Sequence, residues 1–158
     1  GKGPPPPNPA LEIYTDGSKD LGKTGYGWCI VQNGGVLQER YGPLDPDSTV
    51  FMAEMMALVE SLHELQSWLP DDRPTLASVW TDSKASIDAV FSPVLTQPLA
   101  VEIHDLLVEM RKKHTVTVTW VQGHSGVTGN EYADHLARRG RDQPRVGPFP
   151  ALYTPQIW

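Results

Sequence analysis

The chain has 158 residues, one cysteine and a formal net charge of −6. That length suits one domain with one sizeable core, and the acidic balance argues against strong, indiscriminate binding to nucleic acid. Cys29 has no partner for an intrachain disulfide, which favours a reducing, intracellular location, cytoplasm or nucleus, and no apolar run approaches the ~20 residues of a membrane span.

Gly1-Lys-Gly followed by Pro4 to Pro7 predicts a stiff linker or cloning remnant over residues 1–10. With no initiating methionine, the domain is expected to be cut from something longer. Leu11 to Asp16 reads as a first strand, with Ser18 to Thr24 as a polar turn region. Gly25 to Gln32 is a second strand, in which Cys29 is a small buried hydrophobe. Asn33-Gly34 is a strong hairpin signal, and Val36 to Tyr41 returns as a third strand. A helix follows from before Glu54 to about Trp68 or Leu69, with Met55, Leu58, Val59, Leu62, Leu65 and Leu69 as its apolar stripe. Pro70 stops it.

Leu76 to Asp82 repeats the design of the first strand: apolar residues, a threonine, an aspartate, then a turn. The intervening helix makes this crossover right-handed and the two strands parallel, so Asp16 and Asp82 are expected on adjacent strands. Lys84 to Phe91 predicts a short helix closed by Pro93. Pro98 to Lys113 predicts a longer one that buries Leu99, Ile103, Leu106, Leu107 and Met110. Thr115 to Val121 is a fifth strand, and Tyr26, Trp28, Trp80 and Trp120 are expected in the core. A loop punctuated by Gly123, Gly126 and Gly129 carries His124 and feeds a last helix. Thr128-x-x-Glu131 reads there as a capping box, with Asn130 as an alternative cap. Asp134 then falls in or just after the first turn, where the helix dipole favours a carboxylate. Arg141 to Trp158, with Phe149, Tyr153 and Trp158, is expected to be a C-terminal tail or linker.

Thr15-Asp16-Gly17-Ser18, Ala53-Glu54, Thr81-Asp82-Ser83 and Gly123-His-Ser-Gly-Val-Thr-Gly-Asn-Glu-Tyr-Ala-Asp134, in that order, resemble the type 1 ribonuclease H family over residues 11–140. Ser48-Thr-Val-Phe-Met-Ala-Glu54 is most similar to the ribonuclease H domains of non-LTR retrotransposon polyproteins. The resemblance implies an α/β ribonuclease H-like fold: a five-stranded mixed sheet, an antiparallel meander then parallel strands, flanked by helices. It also implies an endonuclease that cuts the RNA strand of RNA/DNA hybrids, leaving 5′-phosphate and 3′-hydroxyl ends. Two Mg²⁺ ions per site with substrate, or Mn²⁺ in their place, would be held by Asp16, Glu54, Asp82 and Asp134, about 3.5–4 Å apart and in line with the displacement. Oxygen donors without paired histidine or cysteine suit such hard ions.

By the same resemblance Asp16 bridges both ions, Asp134 serves the water side, and Glu54 and Asp82 serve the leaving group. His124 helps protonate or release product. Ser18, Thr49, Ser83 and Asn130 are candidate substrate contacts, although Thr49, Ser83 and Asn130 equally suit helix caps. The expected partners are the hybrid and a reverse transcriptase domain of the parent polyprotein, the isolated domain being a monomer. Two other functions compete. A catalytically dead scaffold would be expected to lose at least one carboxylate. A proofreading exonuclease of the wider superfamily would carry an acid where Ser18 stands.

Overall fold

The structure, a computed structural model, describes residues 10–123 and 126–144. The expectations for the linker, for His124 and for the tail beyond residue 144 lie outside the described residues. Five strands form one sheet in the order β3-β2-β1-β4-β5. They are β1 (Leu11–Asp20), β2 (Lys23–Gln32), β3 (Gly35–Leu44), β4 (Leu76–Thr81) and β5 (Thr115–Trp120). The helices are α1 (Val50–Trp68), α2 (Lys84–Val90), α3 (Pro98–Arg111) and α4 (Thr128–Arg141). The first three strands are antiparallel, whereas β4 runs parallel to both β1 and β5.

Alternation along the strands sends side chains to two cores. Ile13, Trp28 and Val79 face α1 and α3, joining Leu58, Leu62, Leu65, Ile103 and Leu107. Tyr14 and Cys29, their strand neighbours, face α4 and pack with Ala133 and Leu136. A β-carbon at Gly27 would lie 2.5 Å from the Ala137 nitrogen, so the missing side chain is what lets α4 press onto β2. On the α1 side Glu60 accepts hydrogen bonds from the Tyr26 hydroxyl at 2.7 Å and the Trp28 indole at 3.1 Å. These aromatic rings are thereby buried without orphaning their polar ends.

Several expectations change. β1 does not end at Asp16, because Ser18, Lys19 and Asp20 pair with Gly25, Thr24 and Lys23. The chain reverses at Leu21 and Gly22, both at positive φ, as a two-residue hairpin requires. The partner strand thus supplies the order that a polar sequence does not advertise. Asn33 and Gly34, also at positive φ, form the expected turn. β3 continues through Pro43 to Leu44, which an edge strand tolerates because its outer N–H positions need no partner.

The expected capping box at α4 is absent. Val127 occupies the cap position with no side-chain hydrogen bond, and Thr128 is already helical. Asn130 therefore sits inside the first turn, buried, rather than capping it. Asp134 falls in the second turn, too far along for the dipole to hold it strongly. Trp120 is the other departure: it is 40% exposed, not core.

Candidate active site

Backbone pairing between β1 and β4 ends at Tyr14 and Trp80. Asp16 and Asp82 follow just beyond that point, Asp16 within β1 and Asp82 directly after the last residue of β4, where the two parallel strands part. The Thr15 hydroxyl donates to the Trp80 carbonyl at 3.1 Å and ties the two strands together just short of the opening. Glu54 reaches the same place from α1. A β-carbon at Gly17 would meet the Glu54 nitrogen at 2.8 Å, so the bare glycine lets the helix dock against β1 at this spot.

One carboxylate oxygen from each of Asp16, Glu54 and Asp82 lies within 4.8 Å of the others. Asp16 and Glu54 are both 4% exposed. Burial pushes the Asp16 carboxyl up to about 8; a hydrogen bond with Glu54 works the other way, while Asp82 and Asp134 push it further up. Burial also raises Glu54 well above the ordinary carboxylate range, and the charges of Asp16 and Asp82 add to it. Without a counter-charge the cluster therefore holds protons it would release in water.

Glu54 Oε2 is buried with no hydrogen-bond partner. A buried carboxylate oxygen costs free energy when left bare, and an oxygen-only cluster with one open acceptor fits a hard divalent cation. Among the described residues this is the group of acids assembled closely enough to hold one.

The other sequence candidates are dispersed around this centre. Asp134 stands outside the 4.8 Å grouping and pairs with Arg138 at 3.1 Å, one turn along α4, but it acts on Asp16 through a hydrogen bond and its charge. The Ser18 hydroxyl accepts from Arg141 at 2.7 Å. Thr49 caps α1 by accepting from the Met52 N–H at 3.1 Å. Ser83 caps α2 by accepting from the Ser86 N–H at 3.1 Å. Sequence reasoning missed Arg138 and Arg141 as neighbours of the site; their spacing from Asp134, four and seven residues along one helix, was the available signal. It also missed Trp120, whose indole donates to the Asp82 carbonyl at 3.1 Å.

Fold and cluster together describe an α/β protein in which three carboxylates converge beside the central strands. The family model for RNase H matches residues 8–142. A ribonuclease H from Hyphomonas neptunium is 35% identical over 153 residues, covering 85% of this chain and 94% of that protein. Among solved structures, LC11-RNase H1, isolated from compost by a metagenomic approach, has a TM-score of 0.66 at 22% identity, covering 84% of this chain and 96% of that one. The structure of LC11-RNase H1 in complex with an RNA/DNA hybrid has a TM-score of 0.62 at 21% identity, with 84% and 96% covered. At those identities the two structures speak to the fold. The chain belongs to the ribonuclease H family, and it is a ribonuclease H enzyme.

Proposed function

We propose that this chain is an endonuclease that hydrolyses the RNA strand of RNA/DNA hybrids at a two-cation centre, leaving 5′-phosphate and 3′-hydroxyl ends. The observation that carries the proposal is the buried cluster of Asp16, Glu54 and Asp82 with its unpartnered Glu54 oxygen. Family membership supports it, as does likeness to LC11-RNase H1, whose structure holds such a hybrid.

Asp16, Glu54, Asp82 and Asp134 would hold the ions, Mg²⁺ or Mn²⁺. Bound there, two divalent cations supply an activated water and charge relief at the leaving 3′ oxygen. The protein's own residues do the rest. Asp16 and Glu54, desolvated and fixed by β1 and α1, give the centre a rigid floor. Asp82, half-buried in the turn between β4 and α2, would meet the substrate backbone from the more open side of the centre. Asp134, which already acts on Asp16 through a hydrogen bond and its charge, would complete the set. His124 handles the proton on product release. Ser18, Thr49, Ser83 and Asn130 contact the backbone and sugars, where the 2′-hydroxyl tells RNA from DNA.

The test is a panel of labelled substrates in Mg²⁺: hybrid with either strand labelled, single-stranded RNA, double-stranded RNA and duplex DNA. Cleavage confined to the RNA strand of the hybrid is expected, with product ends carrying 5′-phosphate. Equal cleavage of single-stranded RNA, or of the DNA strand, contradicts it.

The chain also reads as the ribonuclease H module of a retroelement reverse transcriptase. The segment Ser48 to Glu54 supports this, as do the net charge of −6 and the short connection, residues 91–97, between α2 and α3. By the resemblance, some members of the family place a basic, aromatic-bearing insertion there to grip the hybrid, and that connection has no room for one. Weak hybrid binding by the isolated chain is expected at about 0.15 M salt, where phosphate contacts are screened. Tight binding in an anisotropy titration under those conditions would sink the expectation.

A further inference from the structure

Trp120 closes β5 with its ring in solvent, although Val116 and Val118, on the same side of that strand, pack inward. The ring is fixed there by its indole bond to the Asp82 carbonyl. Over its face, 4.2 Å from the ring centroid, lies the ammonium of Lys84. Lys84 is exposed, and the ring is the partner it has among the described residues. It occupies the first turn of α2, where a cation gains nothing from the helix backbone.

An ammonium two residues from Asp82 has an obvious alternative. It could fold onto the carboxylates, where Coulomb attraction at reduced dielectric is strong, and so compete with the cations the centre needs. The aromatic face offers a site that is attractive yet carries no formal charge. Lys84 is thus held at the rim, its charge neither neutralised nor drawn into the centre.

We infer that Lys84, shelved on the Trp120 ring beside Asp82, is a contact for a backbone phosphate of the nucleic-acid substrate, with Trp120 as the positioning residue that keeps it there. This deepens the hybrid-cleavage proposal and rests on it. A strongly hydrated point charge on a flexible stem suits a phosphate, which it meets without sequence preference. The indole bond couples the shelf to the Asp82 backbone, so the same side chain sets the lysine and the turn that carries the carboxylate.

The experiment is steady-state cleavage of a labelled RNA/DNA hybrid by the full chain in Mg²⁺ over a series of KCl concentrations. Lys84→Met is expected to raise KM several-fold, the loss falling on KM rather than kcat. It should also flatten the slope of log kcat/KM against log salt by about 0.7–0.9, the share of one phosphate contact. Lys84→Arg should restore both. Trp120→Leu should reproduce the KM rise and also lower kcat, because the Asp82 turn loses its tie. A Lys84→Met enzyme with the wild-type KM and salt slope overturns the inference while leaving hybrid cleavage intact. A wild-type chain that fails to cleave the hybrid overturns the substrate proposal, and this inference with it.

Discussion

Replacing Asp82 with asparagine is expected to reduce hydrolysis by about 10²–10³-fold or more, the scale on which a preorganised electrostatic element contributes. Asparagine has the same shape and keeps the backbone carbonyl that receives the Trp120 indole. What disappears is one negative charge and one anionic ligand atom from the group within 4.8 Å. Asp82 is half-buried and stands in a turn, and its charge is among those pushing Asp16 and Glu54 up, so its loss should leave the metal-free fold no less stable. Cleavage rate and urea midpoint, measured on the same preparation, separate the two effects. An Asp82→Asn enzyme with near wild-type rates would remove this residue from the chemistry.

The metal-free protein is expected to lose stability as pH rises, the reverse of the usual carboxylate behaviour. Asp16 has an ordinary carboxyl pKa of 3.8 and one of about 8 in the fold; Glu54 is shifted in the same direction. Between those values the folded state binds more protons than the unfolded state, so the slope of unfolding free energy with pH is negative. The contribution is fully present below about pH 3.8 and is lost as pH passes through about 8. Asp16→Asn removes the titrating charge while retaining the shape. It should therefore stabilise the metal-free protein at pH 8 by about 1–3 kcal/mol, the penalty of an uncompensated buried polar group, and far less at pH 5. For a chain of this size each kcal/mol corresponds to roughly 2–4 °C in Tm. Saturating divalent cation should close the gap at pH 8, since it stabilises the wild-type native state by mass action. Thermal unfolding at pH 5 and pH 8, with and without the cation, measures all of this. A variant less stable than wild type at pH 8 without metal would show that the cluster is not frustrated.

Sequence patterns carried much of this architecture because the relevant signals are local. The apolar stripes of α1 and α3 end up buried nearly as read, Leu69 alone being only partly covered. Asn33-Gly34 made its turn, and β1 and β4, the strands that bring Asp16 and Asp82 together, are parallel neighbours. The misses depend on a partner remote in sequence. Ser18 to Asp20 form strand because Lys23 to Gly25 pair with them. The start of α4 has no side-chain cap, so nothing local marks Val127. Trp120 has the composition of a core residue, and only the distant Asp82 carbonyl explains why its ring stays outside.

The candidate site divides in the same way. Asp16, Glu54 and Asp82 were legible as an ordered set of motifs. Their frustration was not, because the burial of Asp16 and the bare Oε2 of Glu54 come from α1 docking onto Gly17. The engagement of Ser18 by Arg141 likewise requires α4 in place over the sheet, whereas the pair of Asp134 with Arg138 is local to α4.

The most direct measurement of the central claim is cleavage of one hybrid, labelled on its RNA strand, in Mg²⁺, after EDTA, and after Mg²⁺ is restored. A carboxylate centre that works through divalent cations predicts cutting in Mg²⁺, loss of cutting with EDTA while the protein remains folded, and recovery on readdition. Hybrid cleavage that continues unchanged in EDTA would contradict it.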